Sequence, residues 1–211
     1  MKLKHSISCL LLVFFCTSLP AQEISALFSS MPNDRMPELN SNRRKDLIDL
    51  YQDEKTASVR NSLNGVVTLE QLTDNYLRLK SDSSSFEMAI LTMINDSKII
   101  CCIETRCAPV CDSQMQFYTV EWKPVNTNHI IDLVDASWFI KEGTDTSDPR
   151  FMEARSYLDF DLMELHFNPK EQSVVQTYNT PHYLNKEEYR KVEPYLKNEP
   201  KVYIWQQMQF K

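Results

Sequence analysis

The sequence predicts an α+β protein in which an antiparallel sheet of about seven or eight strands is covered on one face by two or three helices. Two observations lead to this prediction. Between residues 57 and 121, short runs of alternating apolar and polar residues are separated by turn residues, as in a meander of antiparallel strands. Apolar residues at helical spacing are confined to short segments, of which residues 41–53 are the clearest.

The first third of the chain is predicted to contain a helix followed by strands. The helix is capped by Asn40 or Ser41 and carries leucine, isoleucine and tyrosine at helical spacing. The dipeptide Asn64-Gly65 is typical of a hairpin turn, so a strand is expected on each side of it. The predicted elements are an apolar start at residues 24–28, the helix at 41–53, and strands at 57–63, 66–72 and 76–80.

Residues 86–121 show the clearest strand pattern. Three runs rich in apolar and β-branched residues are joined by the turn Asn95-Asp96-Ser97 and by a loop between Cys107 and Cys111. Parallel neighbours would need crossover connections of about a dozen residues or more, so these strands are predicted to be antiparallel. The predicted strands are residues 86–94, 98–105 and 114–121.

The last third of the chain is predicted to add a hairpin, a short helix and a final strand. Asn185 followed by Glu188 is the pattern of a capping box, which predicts the start of a helix. Residues 123–149 form a transition without a clear pattern. The predicted elements are hairpin strands at 161–167 and 172–179, a helix from residue 185, and a strand at 201–210.

Residues 1–21 are predicted to be a signal peptide for export, and residues 22–211 a single α+β domain. The N-terminal segment has a basic start, an apolar run shorter than the about 20 residues that a spanning helix needs, and a small residue at the expected cleavage position. An uncleaved anchor and a lipidated Cys16 are the alternatives. Because two hairpins in the chain are similar, we also consider two related halves of about 22–125 and 126–211.

The composition excludes several functional classes. The chain has only 2 glycines, Gly65 and Gly143, so every motif that needs clustered glycines is absent, including dinucleotide-binding and phosphate-binding loops and the nucleophile elbow. The formal net charge is −6, and removing the signal peptide would remove Lys2 and Lys4 but no acidic residue. An acidic chain without a basic cluster is not expected to bind nucleic acid. No later stretch is apolar enough to be predicted as a membrane span.

Four cysteines follow the predicted signal peptide: Cys101, Cys102, Cys107 and Cys111. Cys107 and Cys111 flank a short loop at the head of a predicted hairpin, where two Cα atoms can approach within the about 4.4–6.8 Å that a disulfide needs. We predict a structural disulfide there, with Cys101 and Cys102 as strand residues. A redox-active dithiol and a four-thiolate zinc site are the alternatives, although the cysteines lack the usual CxxC spacing. No metal or cofactor site is predicted.

An acidic segment near residue 160 is the candidate for catalysis. It contains Asp159, Asp161, Glu164 and His166. Paired carboxylates can hydrolyse glycosidic bonds, which keeps a hydrolase among the hypotheses. Apolar residues alternate with these side chains, as in a half-exposed strand, so we assign no catalytic residue.

Five aromatic residues on or beside the predicted strands are candidates for binding a partner. They are Tyr118, Trp122, Trp138, Tyr203 and Trp205. Aromatic side chains on a sheet face can bind a protein or a carbohydrate. The alternative is that they pack in the core.

Residues 107–113 read Cys-Ala-Pro-Val-Cys-Asp-Ser, and other distinctive stretches are residues 72–77, 95–101, 117–119, 178–181 and 201–205. These stretches resemble an uncharacterised family of exported Bacteroidales proteins, the domain of unknown function 3256. The likeness extends from about Ile24 to the C-terminus. Cys102 stands where the family usually has an aliphatic residue, which favours a packing role. The resemblance implies an envelope or secreted location, and it transfers no catalytic residue because the family has no established activity.

The sequence therefore predicts an exported protein, periplasmic, outer-membrane-associated or secreted. We expect it to bind a protein or peptide of the cell envelope through a sheet face or edge, without catalysis. The alternative is a hydrolase that acts on a polysaccharide or cell-wall polymer through paired carboxylates. A solvent-facing cavity with two carboxylates would favour the hydrolase, and a flat aromatic patch would favour the binding protein.

Overall fold

The computed structural model describes residues 22–211, so the predicted signal peptide lies outside the described residues. The chain is α+β, which confirms the predicted fold class. The helices are α1 (Gln22–Ser30), α2 (Ser41–Gln52), α3 (Pro149–Arg155), α4 (Thr180–Tyr183) and α5 (Lys186–Val192). The strands are β1 (Ser58–Arg60), β2 (Val66–Leu72), β3 (Tyr76–Lys80), β4 (Ser84–Thr92), β5 (Lys98–Cys107), β6 (Cys111–Thr119), β7 (Pro124–Val125), β8 (Met163–Asn168), β9 (Ser173–Tyr178) and β10 (Lys201–Ile204).

Seven strands form one antiparallel sheet in which β1 to β7 follow one another in chain order. The predicted meander is confirmed, because β4, β5 and β6 correspond to the three strands expected between residues 86 and 121. The turn between β4 and β5 forms where Asp96 adopts a positive φ of 62°, and Asn95 Oδ1 accepts a hydrogen bond from the Ser97 N–H. Asparagine and aspartate tolerate this local geometry better than most residues.

Helices α1 and α2 cover one face of this sheet. The cap of α2 is confirmed, because Asn40 Oδ1 accepts a hydrogen bond from the Arg43 N–H at 3.1 Å. The apolar start predicted at residues 24–28 lies within α1. The core on this face is apolar and includes Ile24, Phe28, Leu47, Leu77, Met88 and Ile100.

The opposite face is covered by a second, three-stranded antiparallel sheet with the order β10-β9-β8. The sequence predicted one sheet, whereas the ten strands divide between two, because β8 lies across β4, β5 and β6 and does not pair with any of them. The shared core includes Ile103, Phe117, Leu165, Val174 and Tyr203. Both predicted halves contribute to it, which supports our proposal that residues 22–211 form one domain.

Alternate N–H groups of β8 point away from β9 and donate hydrogen bonds to side chains of the larger sheet. Without these acceptors, the N–H groups of an edge strand would be buried without partners. The pairs are Met163 with Asp112, Leu165 with Ser113, and Phe167 with Glu87, each at 2.9 Å.

Two elements in the second half differ from the prediction. The final strand ends at Ile204 and not at residue 210, because the chain turns at Gln207, where φ is 63°, and Lys211 pairs back with Ile204. Helix α3 was not predicted, although Asp148 caps it and Pro149 occupies its first turn. The capping box of Asn185 and Glu188 at the start of α5 is confirmed. Within residues 22–211, no helix combines the length and apolar character needed to cross a membrane.

Candidate functional site

A cavity of about 470 Å³ contains two of the four residues of the acidic segment, Asp159 and Asp161. Its walls come from the turn before and within Ala136–Phe139, the end of α3, the segment leading into β8, and the end of β9. We call this cavity the acidic pocket and define it by Asp135, Arg155, Asp159, Asp161 and Tyr178. Leu158, Phe160 and Ile140 add apolar surface to it.

Asp135 is held by its own turn. Its Oδ1 accepts hydrogen bonds from the Ser137 N–H at 2.9 Å and the Ser137 hydroxyl at 2.5 Å. These hydrogen bonds lower the pKa of Asp135, and the positive charge of Arg155 acts in the same direction. Asp135 is therefore ionised at neutral pH, and its acceptor capacity is partly used within the protein.

Asp159 and Asp161 are the free carboxylates of the acidic pocket. Both are exposed, and within residues 22–211 neither forms a hydrogen bond or an ion pair. Arg155, in the last turn of α3, is also exposed and lacks an ion pair within 4.0 Å among these residues. Three carboxylates thus face one guanidinium, which gives the acidic pocket an excess of negative charge.

Tyr178 forms the buried end of the acidic pocket and is 6% exposed. Its ring stacks on Phe139 with 5.5 Å between ring centroids. Its hydroxyl is buried and has no hydrogen-bond partner among the described residues. The nearby Thr180 hydroxyl donates to the Phe160 carbonyl and accepts from the Leu162 N–H. Burial raises the pKa of Tyr178, the neighbouring Thr180 side chain opposes the increase, and the carboxylate of Asp161 adds to it, so the hydroxyl remains protonated and able to donate.

The other two residues of the predicted acidic segment lie outside the acidic pocket. Glu164 Oε2 accepts a hydrogen bond from Asn179 Nδ2 at 2.9 Å. His166 Nδ1 lies 2.8 Å from Glu87 Oε1. The structure therefore separates Glu164 and His166 from Asp159 and Asp161, because the chain enters β8 at Met163 and the strand carries them away.

Glu87 is a buried carboxylate at the junction of the two sheets. Besides His166, it binds the Tyr76 hydroxyl at 2.8 Å and the Phe167 N–H at 2.9 Å. Burial raises the pKa of Tyr76, and the charge and hydrogen bond of Glu87 raise it further. Each hydrogen bond of this cluster joins either the two sheets or two neighbouring strands. The cluster therefore has a structural role.

Four of the five aromatic residues predicted to bind a partner are buried in the structure. Tyr118 and Trp122 pack in the core beneath the helices, and Tyr203 and Trp205 pack between the two sheets. All four are at most 7% exposed, because sheet faces covered by other elements need large side chains to fill the space. Only Trp138 of the five is partly exposed, and the Lys197 and Lys201 ammonium groups lie over its ring at 4.6 and 5.5 Å from the centroid.

A disulfide joins Cys107 and Cys111 across the end of the β5–β6 hairpin. Within the described part of the chain, Cys101 and Cys102 form no disulfide, and both are buried. Burial raises the pKa of both thiols. No group of three or more His, Cys, Asp or Glu among residues 22–211 is placed to hold a metal ion.

Comparison with known proteins places the chain in a family. The family model of the proteins of unknown function DUF3256 matches residues 16–210. The chain belongs to DUF3256. The solved structure of a domain of an uncharacterised protein from Porphyromonas gingivalis W83 is similar to it, with a TM-score of 0.80 and 27% sequence identity, over 90% of this chain and 98% of that one. None of the curated proteins matches the chain.

Sequence reasoning found only part of the acidic pocket of this DUF3256 protein. Asp159 and Asp161 were singled out, but Asp135, Arg155 and Tyr178 were not. These three residues come from a turn, a helix and a strand that are distant in sequence. The pattern Asp135-Ala-Ser137 could have identified a capping turn, but no local signal connects it with Tyr178.

Proposed function

We propose that this chain is an exported protein of the cell envelope, periplasmic or surface-associated, that binds a peptide or protein partner without catalysing a reaction. In this proposal the acidic pocket receives a basic side chain of the partner. The observation that carries it is a pocket in which three carboxylates face one guanidinium, lined also by the buried residue Tyr178.

The N-terminal segment and the disulfide support export. Residues 1–21 have the basic start, short apolar run and small final residue of a signal peptide. Disulfides persist mainly in oxidising compartments such as the periplasm and the cell surface, and this chain has one between Cys107 and Cys111.

The charge and size of the acidic pocket support a basic side chain as the ligand group. A volume of about 470 Å³ lies within the usual range for ligand pockets, roughly 300–1,000 Å³. The carboxylates of Asp159 and Asp161 have unused acceptor capacity for an ammonium or guanidinium group. Leu158 and Phe160 offer apolar surface to the methylene groups of lysine or arginine.

The Tyr178 hydroxyl supports a ligand that also carries a hydrogen-bond acceptor. A buried polar group without a partner costs about 1–3 kcal/mol. A carbonyl of a bound peptide would accept from this hydroxyl and remove that cost. A peptide supplies both a cationic side chain and carbonyl acceptors.

Isothermal titration of the full chain with short blocked peptides tests this proposal. A peptide with a central lysine or arginine is expected to bind about tenfold more tightly than the same peptide with glutamate. Asp159→Asn and Asp161→Asn should each weaken binding about two- to fivefold because an exposed charge pair is lost. Tyr178→Phe should weaken it about fivefold through the lost hydrogen bond.

Glu121→Gln provides the matched control. Glu121 is an exposed acid in the turn after β6, remote from the acidic pocket, so this variant changes the net charge equally without touching the pocket. Equal affinity for lysine and glutamate peptides would contradict the proposal, as would equal losses in Glu121→Gln and Asp161→Asn.

A hydrolase is the second candidate, because a cavity with two solvent-facing carboxylates, Asp159 and Asp161, is the feature that we expected to favour it. Two carboxylates beside one sugar could serve as acid and as base or nucleophile. Incubation of the full chain with cell-wall polymers, followed by an assay for new reducing ends, tests it. Release of reducing ends that is lost in both Asp159→Asn and Asp161→Asn would favour the hydrolase over the binding protein.

A further inference from the structure

The segment that carries Asp159 and Asp161 separates two cavities. On one side, residues 158–161 line the acidic pocket. On the other side, Leu162 lines a second cavity of about 640 Å³ together with Cys107, Val110 and Asp112. Residues 107–112, which we call the hairpin tip, are closed by the Cys107–Cys111 disulfide. The wall of the acidic pocket therefore faces the hairpin tip.

Two side-chain hydrogen bonds connect this wall to the hairpin tip. The Met163 N–H donates to Asp112 Oδ1 at 2.9 Å. Asn179 Nδ2 donates to the Cys111 carbonyl at 3.1 Å and to Glu164 Oε2 at 2.9 Å. Both contacts fix the start of β8, which directly follows residues 158–162.

The backbone of the acidic segment is held from its other side by the start of α4. The Asn179 N–H donates to the Leu162 carbonyl at 2.8 Å. The Thr180 hydroxyl accepts from the Leu162 N–H and donates to the Phe160 carbonyl, at 2.9 Å in both cases. Asn179 and Thr180 are both buried, so these hydrogen bonds are shielded from water, and Asn179 joins them to the hairpin tip.

We propose that the hairpin tip positions the acidic pocket, with Asp112 and Asn179 as positioning residues for Asp159 and Asp161. This inference rests on the proposed function, since it concerns the affinity of the same pocket. Asp112 is the acceptor of an edge-strand N–H that has no strand partner on that side. Without this acceptor the Met163 N–H would need a water molecule as its partner. The segment before Met163 would then move to expose the N–H group to solvent.

The disulfide holds the two hydrogen-bond acceptors of the hairpin tip in place. Asp112 follows Cys111 directly, and the Cys111 carbonyl itself accepts from Asn179. Cys107 and Cys111 face each other as the last pair of the β5–β6 ladder. The disulfide therefore prevents this end of the ladder from opening, and it keeps both acceptors directed at the start of β8.

Asp112→Ala and Asp112→Asn in the full chain separate positioning from general stability. Asp112→Ala is expected to speed amide hydrogen exchange of Met163 at least about tenfold, while Leu165, which is bonded to Ser113, changes little. Its affinity for the lysine peptide should fall about two- to fivefold. Asp112→Asn keeps an Oδ1 acceptor and should restore most of the slow exchange of Met163 and most of the peptide affinity. Asp82→Ala is the control, because Asp82 lines the same second cavity without a hydrogen bond among the described residues.

Amide chemical shifts, measured without a ligand, test the positioning role independently of peptide binding. Amide chemical shifts of Asp159 and Asp161 should move in Asp112→Ala, return in Asp112→Asn, and move again in a Cys107→Ser, Cys111→Ser double variant. Unchanged shifts, or unchanged peptide affinity in Asp112→Ala when Asp161→Asn weakens binding, would overturn the positioning role and leave the proposed function intact. If no peptide binds the unmodified chain, the proposed function fails, and the chemical shifts alone decide the positioning role.

Discussion

The two faces of the seven-stranded sheet are covered in different ways, and their cores differ accordingly. Beneath α1 and α2 the sheet presents almost only apolar side chains, such as Leu77, Met88 and Ile100. Beneath the three-stranded sheet, apolar residues are accompanied by buried polar groups, among them Glu87 and Thr105. Both cores consist of buried side chains. The difference between them follows from the hydrogen bonds that the covering element needs.

The requirement is backbone hydrogen bonding. A helix pairs its own N–H and carbonyl groups, so its underside needs only apolar contacts. The edge strand β8 pairs on one side only, and its remaining N–H groups must find acceptors on the sheet beneath. The buried carboxylate of Glu87 and the hydroxyl of Ser113 are therefore complements to an unpaired strand edge.

The helix-covered face follows the same rule at the loop that joins its two helices. The loop between α1 and α2 leaves carbonyl groups without helical partners. The buried Arg44 guanidinium donates to the Leu39 carbonyl at 2.6 Å and to the Met31 carbonyl. Burial lowers the pKa of Arg44, but the guanidinium remains charged at any physiological pH. Arg44 and Glu87, on opposite faces, thus both bind backbone groups that lack partners in helices or strands.

Replacing Glu87 should have the largest effect on stability, because it breaks the contact between the sheets. Glu87→Ala leaves the Tyr76 hydroxyl and the Phe167 N–H buried without an acceptor, so we expect a loss of about 3–5 kcal/mol in the free energy of unfolding. Urea denaturation followed by tryptophan fluorescence measures this. Glu87→Gln keeps one carbonyl acceptor and should lose clearly less. Equal losses in the two variants would show that hydrogen bonding is not what Glu87 supplies.

Replacing Arg44 tests whether the helix-covered face depends on this buried charged donor. Arg44→Met keeps the apolar length of the side chain but leaves two loop carbonyls without donors, which should cost about 2 kcal/mol. Arg43→Met is the matched control, since the neighbouring Arg43 side chain forms no hydrogen bond or ion pair among the described residues, and it should change stability by less than about 0.5 kcal/mol. A similar loss in both variants, measured by urea denaturation, would contradict the assigned role of Arg44.

The parts of the fold that the sequence predicted are those fixed by neighbouring residues. The Asn40 cap of α2, the turn at Asn95 and the capping box at Asn185 each depend on hydrogen bonds within a few residues. The meander β4 to β6 was predictable for the same reason, because short turns force consecutive strands to be antiparallel.

The parts that the sequence did not predict depend on contacts between distant segments. Alternating residues in β9 and β10 are compatible with extending the large sheet or with lying over it, and only the packing of Val174 and Tyr203 against the larger sheet decides between these. Tyr203 and Trp205 have the same pattern whether a partner or this chain covers them. For the acidic pocket, Asp159 and Asp161 could be found in a local cluster, whereas Tyr178 joins them only through the tertiary fold.

The smallest expected effect concerns Glu104 and the pH dependence of the helix-covered face. Glu104 lies on β5 on the side of the sheet that faces the helices, near Arg106 and Glu38. Burial raises its pKa, Arg106 opposes the increase and Glu38 adds to it. A carboxyl whose pKa is raised by folding favours the folded state only while it is protonated. Its contribution is therefore complete below the unfolded pKa of about 4.3 and is lost as the pH rises through the folded pKa.

Glu104→Gln should therefore be slightly more stable than the unmodified chain at pH 7 and should lose this advantage at pH 4. Because Glu104 is exposed, solvent screening limits the gain to no more than about 0.5 kcal/mol. Urea denaturation of both proteins at pH 4 and pH 7 measures the difference, with Glu121→Gln as the control. A gain that is larger at pH 4 than at pH 7 would mean that Arg106 outweighs burial at this position, and that Glu104 and Arg106 attract each other enough to stabilise the fold.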